Sequence, residues 1–215
     1  MNTTVRESAG AGRAAFVLAG GKSSRMGRDK ARLEVGGEPV IVRTVRLVAS
    51  VARSVRVVGG AKSLRGLPLD IIDDRWQGAG PLGGIATALG TTEAEWNVVL
   101  ACDLPHLTQE WLEYLAARAE NSQKDAVVPF GERGAEPLCA VYRKRCQADA
   151  RQAVECGELK VQNFIAMLKA GGRLEAVEPA EWKRFDSSGR LFKNMNAPSD
   201  YAETVTELGG GRAKP

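Results

Sequence analysis

Apolar residues fall along this chain in two rhythms. A continuous short run at 14–18 (Ala-Ala-Phe-Val-Leu), and the segment 96–102 with its continuous Val98, Val99 and Leu100, read as strands buried on both faces. Stretches at 54–58, 69–72, 125–129, 138–142 and 174–177 read as further strands. The second rhythm is helical. Val42, Val45, Val48 and Val51 recur at helical spacing behind Pro39 and predict a helix over 39–51. Pro81 opens a helix that runs to about Gly90, and Thr108 is suited to cap one over 109–120. Further helices are expected at 144–155, 160–169 and 199–208, a polar loop at 131–137 and an extended loop at 192–198.

Strands alternate with helices through short connections. That order predicts an α/β fold: a doubly wound, mostly parallel sheet with helices on both faces, Rossmann-like in outline. Neither an internal repeat nor a linker breaks the pattern, so one domain is expected over 14–208. Residues 1–13 and 209–215 are rich in glycine and polar residues and are expected to be flexible tails. Residues 1–13 contain no apolar stretch of the secretory kind, and no run of about 18 apolar residues occurs anywhere, so no membrane association is expected. The four cysteines form no C-x-x-C pair, and His106 is the only histidine, which argues against zinc and for reduced thiols in the cytoplasm. Cys102 is expected in the core and His106 at the surface. Val48, Val51 and Trp111 suit a core or an interface equally. The net charge of +4 suits an anionic ligand. Without a basic helix or an aromatic-rich basic strand, nucleic acid is not expected.

The chemistry gathers after the first strand, in Leu18-Ala19-Gly20-Gly21-Lys22-Ser23-Ser24-Arg25-Met26-Gly27-Arg28-Asp29-Lys30. Glycines let backbone N–H groups approach a phosphate, and Lys22, Arg25, Arg28 and Lys30 surround that backbone with positive charge. A polyphosphate is the simplest ligand. The segment is not a P-loop, because Phe16 stands where G-x-x-x-x-G-K-S/T needs its first glycine, and no spacing fits G-x-G-x-x-G. In doubly wound sheets, ligands bind beyond the carboxyl ends of strands. Two further segments fall at such ends: 73–84, and Asp103-Leu104-Pro105 after the 96–102 strand. A carboxylate at a buried strand tip is rigidly placed, and Mg²⁺ takes one or two carboxylates plus phosphate oxygens, so Asp103 is the candidate metal ligand.

The signature L-A-G-G-x-S-x-R-M-G-x-D-K resembles the molybdenum cofactor guanylyltransferase family of nucleotidyltransferases. The resemblance extends to Gly80-Pro81-Leu82-Gly83-Gly84, Ala101-Cys102-Asp103-Leu104-Pro105, Glu136-Pro137-Leu138-Cys139-Ala140-Val141-Tyr142 on the acceptor side, and Asn194-Met195-Asn196-Ala197-Pro198, covering roughly 14–208. It implies a nucleotidyltransferase fold and transfer of GMP from GTP to the terminal phosphate of molybdopterin, releasing pyrophosphate. It also implies nucleotide binding by Leu18, Ala19, Gly20, Gly21, Lys30, Gly80, Pro81 and Asp103, and catalysis by Arg25, Lys30 and Asp103. Mg²⁺ would be held by Asp103 with Asn196, and Asn194 would orient that site or contact the acceptor. An aspartate before the G-P-L segment contacts the guanine nucleotide in the family. Asp73 and Asp74 both qualify, and spacing prefers Asp74. Where the family often carries an asparagine after the second strand, this chain has Gly59-Gly60.

A molybdenum-insertion enzyme and a recipient apoenzyme or its chaperone are the partners implied. A cytidylyltransferase or a sugar- or alcohol-phosphate nucleotidyltransferase is the neighbouring alternative. A non-catalytic nucleotide- or cofactor-binding protein is the alternative from another class.

Overall fold

The computed structural model describes residues 12–20 and 30–209. The continuous apolar runs form the centre of the sheet. Strand β1 (Arg13–Leu18) pairs in parallel with β6 (Trp96–Ala101) on one side and β4 (Ser54–Val58) on the other. Every residue of β1 is buried: Ala15 and Val17 face one core, Ala14, Phe16 and Leu18 the other. This two-sided burial is why the run does not alternate with polar residues. Strand β5 (Ile71–Ile72) adds in parallel to β4 and ends that side of the sheet. On the other side β6 is followed by β9 (Cys139–Arg143), β7 (Ala126–Gly131) and β10 (Leu174–Val177).

The expectation of a mostly parallel sheet holds, with one reversal. β9 runs antiparallel between β6 and β7. The chain reaches it by turning back from β7 through a hairpin rather than through a crossover helix. Residues 131–137, expected as a polar loop, contain that hairpin: β8 (Gly134–Ala135) pairs antiparallel with Phe130 and Gly131 of β7.

Helices α1 (Val40–Val48), α3 (Gln109–Asn121) and α6 (Pro179–Trp182) cover one face. Helices α2 (Gly80–Gly90), α4 (Cys146–Glu155) and α5 (Val161–Ala170) cover the other. Thr108 caps α3 as its position predicted, its hydroxyl accepting from Trp111 N at 3.2 Å. Trp111 is fully buried, as are Val48 and Val51, which places all three in the core of this chain. A third small cluster joins Val35, Val40 and Met195 with Tyr201, Val205 and Leu208. It seats α7 (Pro198–Gly209) against the small ribbon formed by β2 (Glu34–Val35) and β3 (Glu38–Pro39).

Two boundaries differ from expectation. Arg13 is not tail. It is the first residue of β1, nearly buried, and it donates from Nε to Val51 O at 2.7 Å and pairs with Glu120. A cation tolerates this burial because its guanidinium is held by a carbonyl and a carboxylate. At the other end, Gly209 closes α7. Among the described residues, no helix is long and apolar enough to cross a membrane.

Candidate active site

The parallel strands β1, β4, β5 and β6 all end at one edge of the sheet, and the expected site residues follow those ends. Beyond β1, Ala19 N donates to Val58 O at 2.9 Å, holding the start of the loop against β4. Leu18 is buried, and a Cβ built on Gly84 would stand 3.0 Å from its Cδ1. Its side chain therefore belongs to the packing of α2 on β1, and its carbonyl accepts from Cys102 N at 3.4 Å. Gly20 is exposed, with open space where a side chain would stand. Gly59 and Gly60 back this turn with φ of +82° and +73°, a region costly for residues with a Cβ. Gly21 and Arg25 lie outside the described residues.

Lys30 emerges on a short 3-10 turn (Lys30–Arg32) anchored by buried Ala31. Its ammonium donates to Asn196 Oδ1 at 2.6 Å and stands 3.7 Å from Asp103 Oδ2. Asp103 sits just beyond β6, where the chain is pinned by Met195 N donating to Asp103 O at 2.9 Å. The loop carrying Asn196 is thus tied directly to the strand tip carrying Asp103. Burial raises the Asp103 carboxyl above the usual range, and the Lys30 charge pulls it partly back. Three residues distant in sequence thus stand together: one cation and two hard oxygen donors.

The position of Asn196 depends on a residue that motif reading missed. Asp200 Oδ2 accepts from Asn196 N at 2.9 Å and Ala197 N at 2.7 Å, and these N–H groups hold its carboxyl below the usual range. Pro198 is the first helical residue of α7 and Asp200 the third, so the acid reaches back across the helix start as in a capping box. The signal was present as Pro-Ser-Asp directly after Asn-Ala. Asn194 is half-buried in the same extended segment.

Asp74 follows β5. Its Oδ1 accepts from Thr87 Oγ1 at 2.8 Å and from Trp76 N at 3.0 Å. That oxygen closes the turn ahead of α2, while Asp73 is exposed. Gly80 begins α2 with φ +64°, and Pro81 is exposed behind it. Gly83 permits a close approach: a Cβ there would lie 2.9 Å from Trp76 O.

His106 is not at the surface as expected. Its side chain is 12% exposed and its Nε2 lies 4.0 Å from Glu207 Oε2 on α7. Burial lowers its pKa, opposed by Glu207. Cys102 lies one residue past β6, half-buried against the core rather than within the strand.

No group of three or more His, Cys, Asp or Glu side chains is arranged to hold a metal among the described residues. Asp103 and Asn196 offer oxygen donors of the kind a hard cation takes together with phosphates and water.

The chain matches the family model described as MobA-like NTP transferase domain over residues 15–173. A probable molybdenum cofactor guanylyltransferase of Pyrococcus furiosus is 38% identical over 88% of this chain and 95% of its own. One from Opitutus terrae is 36% identical over 87% and 92%. The crystal structure of molybdopterin-guanine dinucleotide biosynthesis protein A from Archaeoglobus fulgidus superposes with a TM-score of 0.78 at 25% identity, covering 90% of this chain and 97% of that one. A cytidylyltransferase for 2-C-methyl-D-erythritol 4-phosphate from Thermus thermophilus shares the fold alone, with a TM-score of 0.64 at 16% identity. With Gly20, a lysine, a strand-tip aspartate and an asparagine at one sheet edge, and relatives that match nearly end to end, this chain belongs to the MobA-like NTP transferases and is a nucleotidyltransferase.

Proposed function

We propose that this enzyme transfers GMP from GTP to the terminal phosphate of molybdopterin and releases pyrophosphate. The convergence of Lys30, Asp103 and Asn196 carries the reading, in a chain whose relatives bear the corresponding name over nearly their full lengths.

Asp103 and Asn196 are the residues to hold Mg²⁺. Their oxygens converge on one cation, the Lys30 ammonium, and this arrangement supports a place for positive charge beside them. When bound, the ion supplies charge neutralisation at the transferred phosphate. The nucleotide phosphates lie along the backbone after β1, and Lys30 and Arg25 offset the charge that builds on the leaving pyrophosphate. Asp74 accepts from the N–H edge of guanine through the oxygen that does not close its own turn. The acceptor is a phosphate monoester with a second pKa of about 6, ionised at neutral pH. Its oxygen attacks the α-phosphorus without a general base, and the protein contributes placement and charge. Four free thiols suit the reducing cytoplasm as the place of reaction.

The test is calorimetric titration with GTP, CTP, ATP and UTP, each with Mg²⁺, followed by pyrophosphate release on addition of molybdopterin. Selective GTP binding that Asp74→Ala weakens, with turnover, supports the reading. Preference for CTP or UTP moves the enzyme to a sister transferase, and failure to bind any nucleotide removes the reading.

A further inference from the structure

One carboxylate at the active edge of the sheet, in the segment that the resemblance puts on the acceptor side, takes no part in the contacts described above. Glu136 lies between the β7–β8 hairpin and β9, where Glu136 N donates to Pro129 O at 2.8 Å. It is half-buried, and neither of its carboxylate oxygens makes a hydrogen bond or ion pair among the described residues. Its direction is set by Gly131. A Cβ built there would stand 2.8 Å from Glu136 Oε1, so the carboxylate lies over the bare end of β7. Burial pushes its pKa up to about 7, with Arg133 opposing. A ligand bringing N–H donors would restore the hydration that burial removes.

Strand order places this carboxylate relative to the reacting centre. β6, β9 and β7 are consecutive neighbours, with Leu100 opposite Cys139 and Ala101 N donating to Leu138 O at 2.7 Å. The ends of β6 and β7 are therefore two strand spacings apart, about 10 Å. The nucleotide-binding turns follow β1, β4 and β5, on the opposite side of Asp103. Attacking and leaving oxygens stand roughly in line in phosphoryl transfer. An acceptor entering opposite the pyrophosphate must then lie over the starts and ends of β9 and β7. That span is comparable to the length of a pterin with a phosphate on its side chain, so an acceptor phosphate at Asp103 would direct the far edge of the ring toward Glu136.

We propose that Glu136 is the residue that recognises the acceptor, its carboxylate accepting two hydrogen bonds from the adjacent ring N–H and 2-amino group of a pterin. This inference rests on the acceptor named above. Guanine carries the same two-donor edge, and sheet order assigns Glu136 to the pterin rather than the nucleotide.

The probe is 6-hydroxymethylpterin phosphate, a pterin ending in a phosphate monoester, with its binding followed by ring fluorescence in the presence of a non-hydrolysable GTP analogue and Mg²⁺. Glu136→Gln, which keeps the shape and replaces one acceptor by a donor, is expected to weaken binding tenfold or more and to leave GTP binding within twofold. The lumazine counterpart, with oxygen in place of the 2-amino group, is expected to bind the unaltered enzyme at least tenfold more weakly than the pterin, a comparison that needs no variant. Equal binding of pterin and lumazine by the unaltered enzyme overturns the proposal. So does a Glu136→Gln variant that binds the pterin normally or loses GTP instead. Failure of the unaltered enzyme to bind GTP would remove the proposed reaction, while the pterin–lumazine comparison, repeated without nucleotide, still decides the role of Glu136.

Discussion

Replacing Lys30 by methionine removes the charge at the centre of the site while retaining most of the side-chain volume. The ammonium stands 3.7 Å from Asp103 Oδ2, and both side chains are about one-fifth exposed. At an effective dielectric of about 20, a unit charge pair at that separation is worth roughly 4–5 kcal/mol before the desolvation of both groups is subtracted. The same charge faces the leaving pyrophosphate in the proposed reaction, where loss of one such contact costs about 10²–10³ in rate. Pyrophosphate release by Lys30→Met is therefore expected to fall by about 10²–10³. The pH profile supplies a second readout. Burial raises the Asp103 carboxyl and Lys30 is the strongest influence holding it down. Without Lys30 the carboxyl rises further, and the acid limb of the rate profile moves to higher pH. The assay is initial-rate pyrophosphate release between pH 6 and 9 at fixed GTP, molybdopterin and Mg²⁺. A variant within twofold of the original enzyme, with its acid limb unmoved, refutes the role of Lys30.

Asp103→Asn should lower turnover at least about 10²-fold yet raise the melting temperature at pH 7 by a few degrees, because a carboxyl whose folded pKa is raised favours the fold only below its unfolded value and loses that contribution as pH rises. Thermal melts should show the gain shrinking below about pH 4, and a lower melting temperature at pH 7 would contradict this. Asp125 is the opposite case: burial raises its carboxyl, but hydrogen bonds from Arg173 Nε at 2.6 Å and Arg145 Nε at 2.6 Å prevail and hold it down. Its stabilisation is present above about pH 4 and lost as pH falls below that, so denaturation of Asp125→Asn should show a flatter acid limb. Gly83→Ala should cost roughly 1–3 kcal/mol in denaturant unfolding and weaken GTP binding, because its Cβ meets Trp76 O at 2.9 Å in the turn closed by Asp74. An unchanged midpoint would show that the turn yields freely.

The sequence alone determined the elements whose burial is written in one segment. β1 and β6 are dominated by apolar runs (14–18 and 98–101) because helices cover both their faces, and α3 begins where Thr108 can cap it. It also located the aspartate at the β6 tip and the Asn-x-Asn-x-Pro loop, since each is a local pattern of residue types. Tertiary structure decided what depends on a second segment. An apolar run reports which faces are buried and not which way the strand runs, so the reversal of β9 became legible only from its ladder with β6. The polar residues at 131–137 hid a hairpin because two-residue strands carry too few positions to show alternation. Arg13 read as tail because its charge is neutralised by groups 38 and 107 residues away. His106 read as surface because the helix that covers it begins more than ninety residues later. The 2.6 Å bond between Lys30 and Asn196 spans 166 residues of sequence. The packing of α7 against the β2–β3 ribbon and the bond from Met195 N to Asp103 O bring those two side chains together, contacts that no single segment announces.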